Sequence, residues 1–154
     1  MNELHNLINQ LEAKIQYADL INLDVSSSNV SWHIEHTLLT LRGVSNVLIN
    51  SNPSDYKWKF NYVRTYVLTF NKIPRGKAKA PDVVNPKVGI DKEALIALLS
   101  ETRSKVGVAE ALPNDKFFKH PFLGNLRRKQ TIKFLGIHTR HHLEIINDII
   151  KSSR

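Results

Sequence analysis

Apolar residues recur at helical spacing along much of the chain, and this pattern is the first guide to its fold. In a first stretch, from about Glu3 to Leu20, they lie three or four positions apart. A second stretch follows a run of serines and Asn29, which offer N-cap groups, and continues to about Asn50, where Pro53 ends it. The pattern therefore predicts two amphipathic helices in the first third of the chain.

The middle of the chain is less regular. Aromatic and β-branched residues crowd the stretch from Tyr56 to Phe70, so that a helix competes with a strand, and a helix is favoured. From Lys72 to Ile90 the chain holds three of its six prolines and five basic residues against one Asp. This proline-rich loop is predicted to lack regular structure, and loops of that length are usually functional or mobile.

The last third of the chain again shows helical spacing. Asp91 is placed as the N-cap of a helix that ends before Pro113. The stretch DKFFKHPFLGN is expected to be a loop, and a final helix is expected from about Arg127 to Ile150. Four or five amphipathic helices without a strand predict an all-α helical bundle. Without an internal repeat or a composition break, residues 1–154 are predicted to form a single domain.

Composition narrows the class of protein. Of the 154 residues, 42% are hydrophobic and 23% are charged, which is typical of a folded globular domain. The chain has no cysteine, so disulfides, thiolate metal sites and cysteine nucleophiles are excluded, and a metal site must use His, Asp or Glu. No signal-peptide core and no apolar span of membrane length is found, which predicts a cytoplasmic protein with no membrane partner.

The charge of the chain is unevenly distributed. The net charge is +8, yet residues 1–56 hold two basic and six acidic residues, whereas residues 57–154 hold 20 basic and eight acidic ones. A basic surface can attract nucleic acid or an anionic ligand. Neither an aromatic-rich recognition motif nor a glycine-bearing helix-turn-helix is evident, so no nucleic-acid partner is expected.

Two clusters of basic residues raise the question of an anionic or acidic partner. The first cluster, on the proline-rich loop, could steer a carboxylate-bearing ligand, although a solvated basic loop is the simpler interpretation; it consists of Arg75, Lys77 and Lys79. The second cluster opposes the dipole at the start of the last helix and is unfavourable there unless an anion or the acidic surface of a neighbouring subunit lies close; it consists of Arg127, Arg128 and Lys129.

Histidines supply the candidate chemistry. His138 and His142 lie four residues apart inside the apolar stripe of the last helix, at which spacing their Cβ atoms are about 5–6 Å apart. His36 lies on the apolar face of the second helix. Burying an imidazole without partners costs about 1–3 kcal/mol, whereas one divalent cation can bind three of them. The pattern favours a metal site over core histidines bonded to backbone carbonyls; His33 is the second choice for the ligand on the second helix.

The segments SWHIEH and GIHTRHHLEII, on the second and last helices, resemble the DinB-like (YfiT-like) metalloenzyme superfamily. IPRGKAKAP and HPFLGNL are similar to one branch of it, a domain of unknown function. The resemblance implies a four-helix bundle of up-down-down-up topology, here with one additional helix and the long proline-rich loop. It also implies a divalent metal held by His36, His138 and His142, with His141 as the extra histidine that often precedes the last ligand.

The resemblance also implies an activity. Relatives in that superfamily are bacterial bacillithiol or mycothiol S-transferases and a mycothiol-dependent isomerase, so thiol transfer at the metal is the leading expectation. Zinc is the favoured metal, with nickel, iron or manganese as alternatives. A small-molecule substrate, such as a low-molecular-weight thiol, and a homodimer are the partners implied.

Two other functions stay open. Metal-activated hydroxide attacking an ester or amide is the nearest competitor, and a metal-holding bundle with a binding or stress role and no turnover is the third interpretation. No general base is assigned, because Glu35 lies about 100° from His36 on the helical wheel. Tyr17, Tyr62 and Tyr66 cannot be placed from the sequence.

Overall fold

The structure, a computed structural model, describes residues 3–76, 82–86 and 90–152, apart from the side chain of Val83. Helices dominate this part of the chain, as the sequence predicts, and one small antiparallel hairpin accompanies them. In chain order the elements are α1 (Glu3–Lys14), α2 (Val30–Asn50), α3 (Tyr62–Phe70), α4 (Lys92–Ala111), β1 (Phe117–His120), β2 (Gly124–Arg127) and α5 (Arg128–Ser152). Within the described residues, no helix is both long and apolar enough to cross a membrane.

The four longer helices pack on one another around a shared core. Helix α2 packs against α4 and α5, and α1 packs against α5 and α4. The apolar stripes predicted from the sequence face this core, which includes the fully buried Ile8, Leu38 and Ile146. The first helix is shorter than expected, because it ends at Lys14 and continues as a 3-10 turn over Ile15–Tyr17.

Two helices begin directly after N-cap residues that the sequence predicts. The Asn29 side chain accepts a hydrogen bond from the backbone amide of Trp32 at 2.9 Å, where α2 starts. The Asp91 side chain accepts one from the amide of Ala94 at 2.8 Å, where α4 starts. Each cap pairs an amide that the first helical turn would otherwise leave without a partner.

The aromatic stretch forms a helix, as favoured, but a shorter one. Helix α3 begins at Tyr62, where Asn61 caps it by accepting from the backbone amide of Arg64 at 2.8 Å. Only Arg64 and Val67 of α3 are buried, while Tyr62 is 81% exposed. The residues before Asn61 form a 3-10 turn over Pro53–Asp55 and then an irregular segment.

The expectation of a loop between α4 and α5 was wrong. Strands β1 and β2 pair antiparallel there, with Phe117 opposite Arg127 and His120 opposite Gly124. Two strands of four residues, separated by a turn that contains a proline, give too little alternation to distinguish them from a loop. Contacts from distant segments hold the hairpin, because the buried Arg64 guanidinium donates to the carbonyl of Asn125 at 3.3 Å.

The basic residues at the start of α5 have neighbours within the chain. The Arg127 guanidinium lies 3.5 Å from the centroid of the Tyr56 ring and donates to the carbonyl of Asp115. Arg128, the first residue of α5, donates to the carbonyl of Glu110 at 3.2 Å. The guanidinium groups of Arg127 and Arg128 therefore have partners within the chain, although the sequence suggested an external anion near them.

Candidate metal centre

Three histidines from two packed helices meet inside the bundle. His36 comes from α2, and His138 and His142 come from successive turns of α5. One nitrogen of each ring lies within 4.8 Å of the corresponding nitrogens of the other two. His36 is 4% exposed and His142 is 8% exposed, while His138 is partly buried. The structure thus brings together the three histidines that the sequence analysis gave as metal ligands, and the group could hold one metal ion.

The spacing of two ring nitrogens fits a tetrahedral cation. His36 Nε2 and His138 Nε2 are 3.3 Å apart. Two nitrogen ligands at 2.0–2.1 Å from a tetrahedral zinc ion lie about 3.3–3.4 Å from each other. Little rearrangement of these two rings would therefore be needed for them to bind one ion.

The His36 ring is held in the orientation that a ligand needs. Its Nδ1 donates to the carbonyl oxygen of Val84 at 2.6 Å, which leaves the lone pair of Nε2 free. The Trp32 ring stacks on it at 5.0 Å between centroids with 11° between planes. Val84 belongs to a 3-10 turn, Asp82–Val84, of the proline-rich loop, so this loop contributes directly to the site.

His33, the second choice for the α2 ligand, is not part of the group of three. Its Nδ1 lies 3.0 Å from Nδ1 of His142, and its Nε2 lies 2.9 Å from Oγ of Ser26. Both nitrogens of His33 therefore have protein partners. Because His142 faces His33 through Nδ1, its Nε2 is the atom that remains for a metal.

The His138 ring is short of protein partners. Its Nδ1 is buried and makes no hydrogen bond to any described residue. Its Nε2 faces His36, and its ring lies 4.7 Å from the His142 ring. A buried polar atom without a partner costs about 1–3 kcal/mol. The described protein atoms therefore leave Nδ1 of His138 unsatisfied, and an ion bound at Nε2 would not supply the missing partner.

Burial keeps the clustered histidines neutral. It is the main cause that lowers the pKa of His138 and His142 far below the ordinary value, and the neighbouring histidines lower both further. Burial also lowers the pKa of His36, against the opposing effect of the Val84 carbonyl. Near pH 7 the three rings are therefore uncharged and can offer lone pairs to a cation, as metal ligation requires.

The other candidate residues from the sequence do not belong to the group of three histidines. His141 is partly buried, with its ring 5.2 Å from that of His142. Arg75 pairs with Asp148 at 2.9 Å, and both side chains are about half exposed. Lys77 and Lys79 lie outside the described residues, so the structure does not address their expected role.

Neither Glu35 nor the two tyrosines of α3 join the three histidines. Glu35 is buried, its pKa is raised by burial, and its Oε2 has no partner among the described residues, but no contact links it to the group. Tyr62 and Tyr66 are exposed on α3, where their rings contact Phe60 and Phe70.

Sequence reasoning missed the partners of the ligand rings. Val84 gave no signal, because a backbone carbonyl is the same in every residue. Ser26 belongs to the run of serines that the sequence offers as caps. From the sequence His33 is only the second choice of ligand, and its contact with His142 becomes visible only when α5 is packed beside α2.

Comparisons with protein-family models, with curated proteins and with solved structures found no match to this chain. The resemblance to the DinB-like superfamily therefore stays a prediction based on the segments quoted above.

Proposed function

We propose that this chain is a metal-dependent enzyme whose divalent cation is held by His36, His138 and His142. The observation that carries the proposal is the approach of three ring nitrogens to within 4.8 Å of one another, from two helices. Zinc is favoured because it suits neutral imidazoles and because the nitrogens of His36 and His138 have the spacing of two ligands on a tetrahedral ion; nickel, iron and manganese are alternatives.

The proposal includes the DinB-like form of the fold, a four-helix bundle of up-down-down-up topology with α3 as the additional helix. Its support is the mutual packing of α1, α2, α4 and α5. The position of the histidines on the second and last helices agrees with the same arrangement.

A divalent cation held by His36, His138 and His142 would supply Lewis acidity to a bound thiol or water. Thiol transfer is favoured over hydrolysis on the strength of the resemblance. Neither reaction requires a carboxylate base at such a site, because a thiol has an ordinary pKa of about 8.5 and a zinc ion held by imidazoles lowers the pKa of a bound water to about 7. In the proposed reaction the thiolate sulfur forms a bond to an electrophilic carbon, and the leaving group departs with the electron pair.

The protein's own contribution is orientation and exclusion of water. Val84 and Trp32 fix the His36 ring, and the burial of His36 and His142 keeps bulk solvent away from the ligand nitrogens. The substrates are proposed to be a low-molecular-weight thiol of the bacillithiol type and a small electrophile. A homodimer and a cytoplasmic location belong to the same proposal, on the strength of the resemblance.

The test is turnover by the zinc-loaded protein. We expect thioether formation from bacillithiol and an aryl halide to be faster with the wild-type protein than with His36→Ala, since that variant lacks one ligand. A parallel assay with an activated ester measures hydrolysis. Faster ester cleavage without thiol transfer would favour the hydrolase. Wild-type protein that holds zinc but matches His36→Ala in both assays would favour a non-catalytic metal-holding bundle and overturn the enzymatic proposal.

A further inference from the structure

We infer that His33 and Ser26 are positioning residues that fix the orientation of the metal ligand His142 through a chain of hydrogen bonds. The inference rests on the proposed metal site and adds to it two residues that do not touch the metal. The Nδ1 atoms of His142 and His33 are 3.0 Å apart, and Nε2 of His33 lies 2.9 Å from Oγ of Ser26.

Metal binding determines the direction of this chain. A neutral histidine that gives the lone pair of Nε2 to a cation carries its proton on Nδ1. His142 must therefore donate to His33, and His33 must accept through an Nδ1 that has no proton. The proton of His33 is then on Nε2, from which it is donated to the Ser26 hydroxyl oxygen. Each ring has only one tautomer that satisfies both neighbours.

The surroundings hold the acceptors in place. Ser26 Oγ also accepts from the backbone amide of Ser28 at 3.1 Å, so the loop before α2 orients the end of the chain. The Trp32 ring meets His33 edge-on, with centroids 5.1 Å apart and planes at 85°. His33 is only 4% exposed, so water cannot easily replace it as the acceptor for His142.

The same contacts explain why His33 is not a fourth ligand. One of its nitrogens is committed to His142 and the other to Ser26, and neither retains a free lone pair directed at the three-histidine group. A metal-bound histidine usually donates its second nitrogen to a carboxylate, a backbone carbonyl or water. Here His36 uses the Val84 carbonyl, whereas His142 uses a second imidazole.

The test compares zinc affinity, measured by competition with a chromophoric chelator, and the visible absorption of the cobalt-substituted protein. In His33→Leu we expect zinc affinity to fall about 10- to 100-fold, as for other outer partners of metal ligands, and the cobalt spectrum to shift. His33→Asn should recover most of the affinity, because its amide oxygen can take the place of Nδ1 as the acceptor. Ser26→Ala should cause a smaller loss, since Ser26 acts only through His33.

A matched control removes a buried hydrogen bond elsewhere. Thr102, on α4, is fully buried and donates to the carbonyl of Leu98 at 2.7 Å, and Thr102→Val should leave zinc affinity unchanged. Wild-type affinity and spectrum in His33→Leu would overturn the inference while leaving the metal site intact. If His33→Leu does not fold, Ser26→Ala decides, and unchanged affinity and spectrum there would overturn it. Failure of the wild-type protein to bind zinc would instead overturn the proposed function.

Discussion

His120 at the end of β1 should make the stability of the protein depend on pH. Its Nδ1 accepts hydrogen bonds from the backbone amides of Phe122 at 3.0 Å and Leu123 at 3.1 Å, and so holds the turn between the strands. The ring also packs edge-on against Phe134, with centroids 4.7 Å apart. Burial lowers the pKa of His120 from 6.5 to about 4. Protonation of Nδ1 would break both bonds to the turn.

The size of this loss of stability follows from the pKa of His120 in the unfolded chain, 6.5, and in the folded protein, about 4. Between pH 6.5 and pH 4 the unfolded chain binds a proton at His120 that the folded protein does not, so the free energy of unfolding falls as the pH falls. From pH 7 to pH 5 this single group should cost about 2 kcal/mol.

The assay is urea denaturation of the wild-type protein and of His120→Asn at both pH values, in the presence of a chelator. The Asn side-chain oxygen can accept from the same amides but does not titrate. Other histidines contribute equally to both proteins and cancel in the comparison. The wild-type protein should therefore lose about 2 kcal/mol more than the variant on going from pH 7 to pH 5. An equal loss in both proteins would refute the role given to His120.

Three further outcomes are expected. Asn29→Ala removes the cap that pairs the Trp32 amide and should lower the free energy of unfolding by about 1 kcal/mol in urea, whereas a Ser in its place should not. Arg64→Met removes the donor to the carbonyls of Lys59 and Asn125 and should cost about 2 kcal/mol; an unchanged melting temperature would contradict this. Free zinc at a hundred times its Kd should stabilise the wild-type protein by about 2.7 kcal/mol, and a chelator should reverse the rise in melting temperature.

Helices were predictable where one stretch of sequence determines the structure. The apolar spacing in α2 and α5 reflects burial of one helix face, and Asn29 and Asp91 act on amides only three residues away. The helical spacing also predicts that His36 and His138 each face the core, and the resemblance to the DinB-like superfamily added the expectation that they meet there.

The remaining features depend on contacts between distant segments. The hairpin is held in part by Arg64, which lies 61 residues before the carbonyl that it binds. The partner of His36 is a carbonyl of the proline-rich loop, and the partner of His142 is a ring 109 residues away. Spacing along one helix carries no information about these pairings, because they depend on how α3 is placed against the hairpin and how the proline-rich loop and α5 are placed against α2.

The metal content of purified protein, measured by plasma mass spectrometry without exposure to chelators, shows directly whether the three histidines hold a cation. We expect about one divalent ion per wild-type chain and almost none in the His138→Ala, His142→Ala double variant. His5→Ala, which removes an imidazole paired with Glu110, should retain the ion. Equal metal content in the wild-type protein and the double variant would contradict the central claim that these histidines hold the cation.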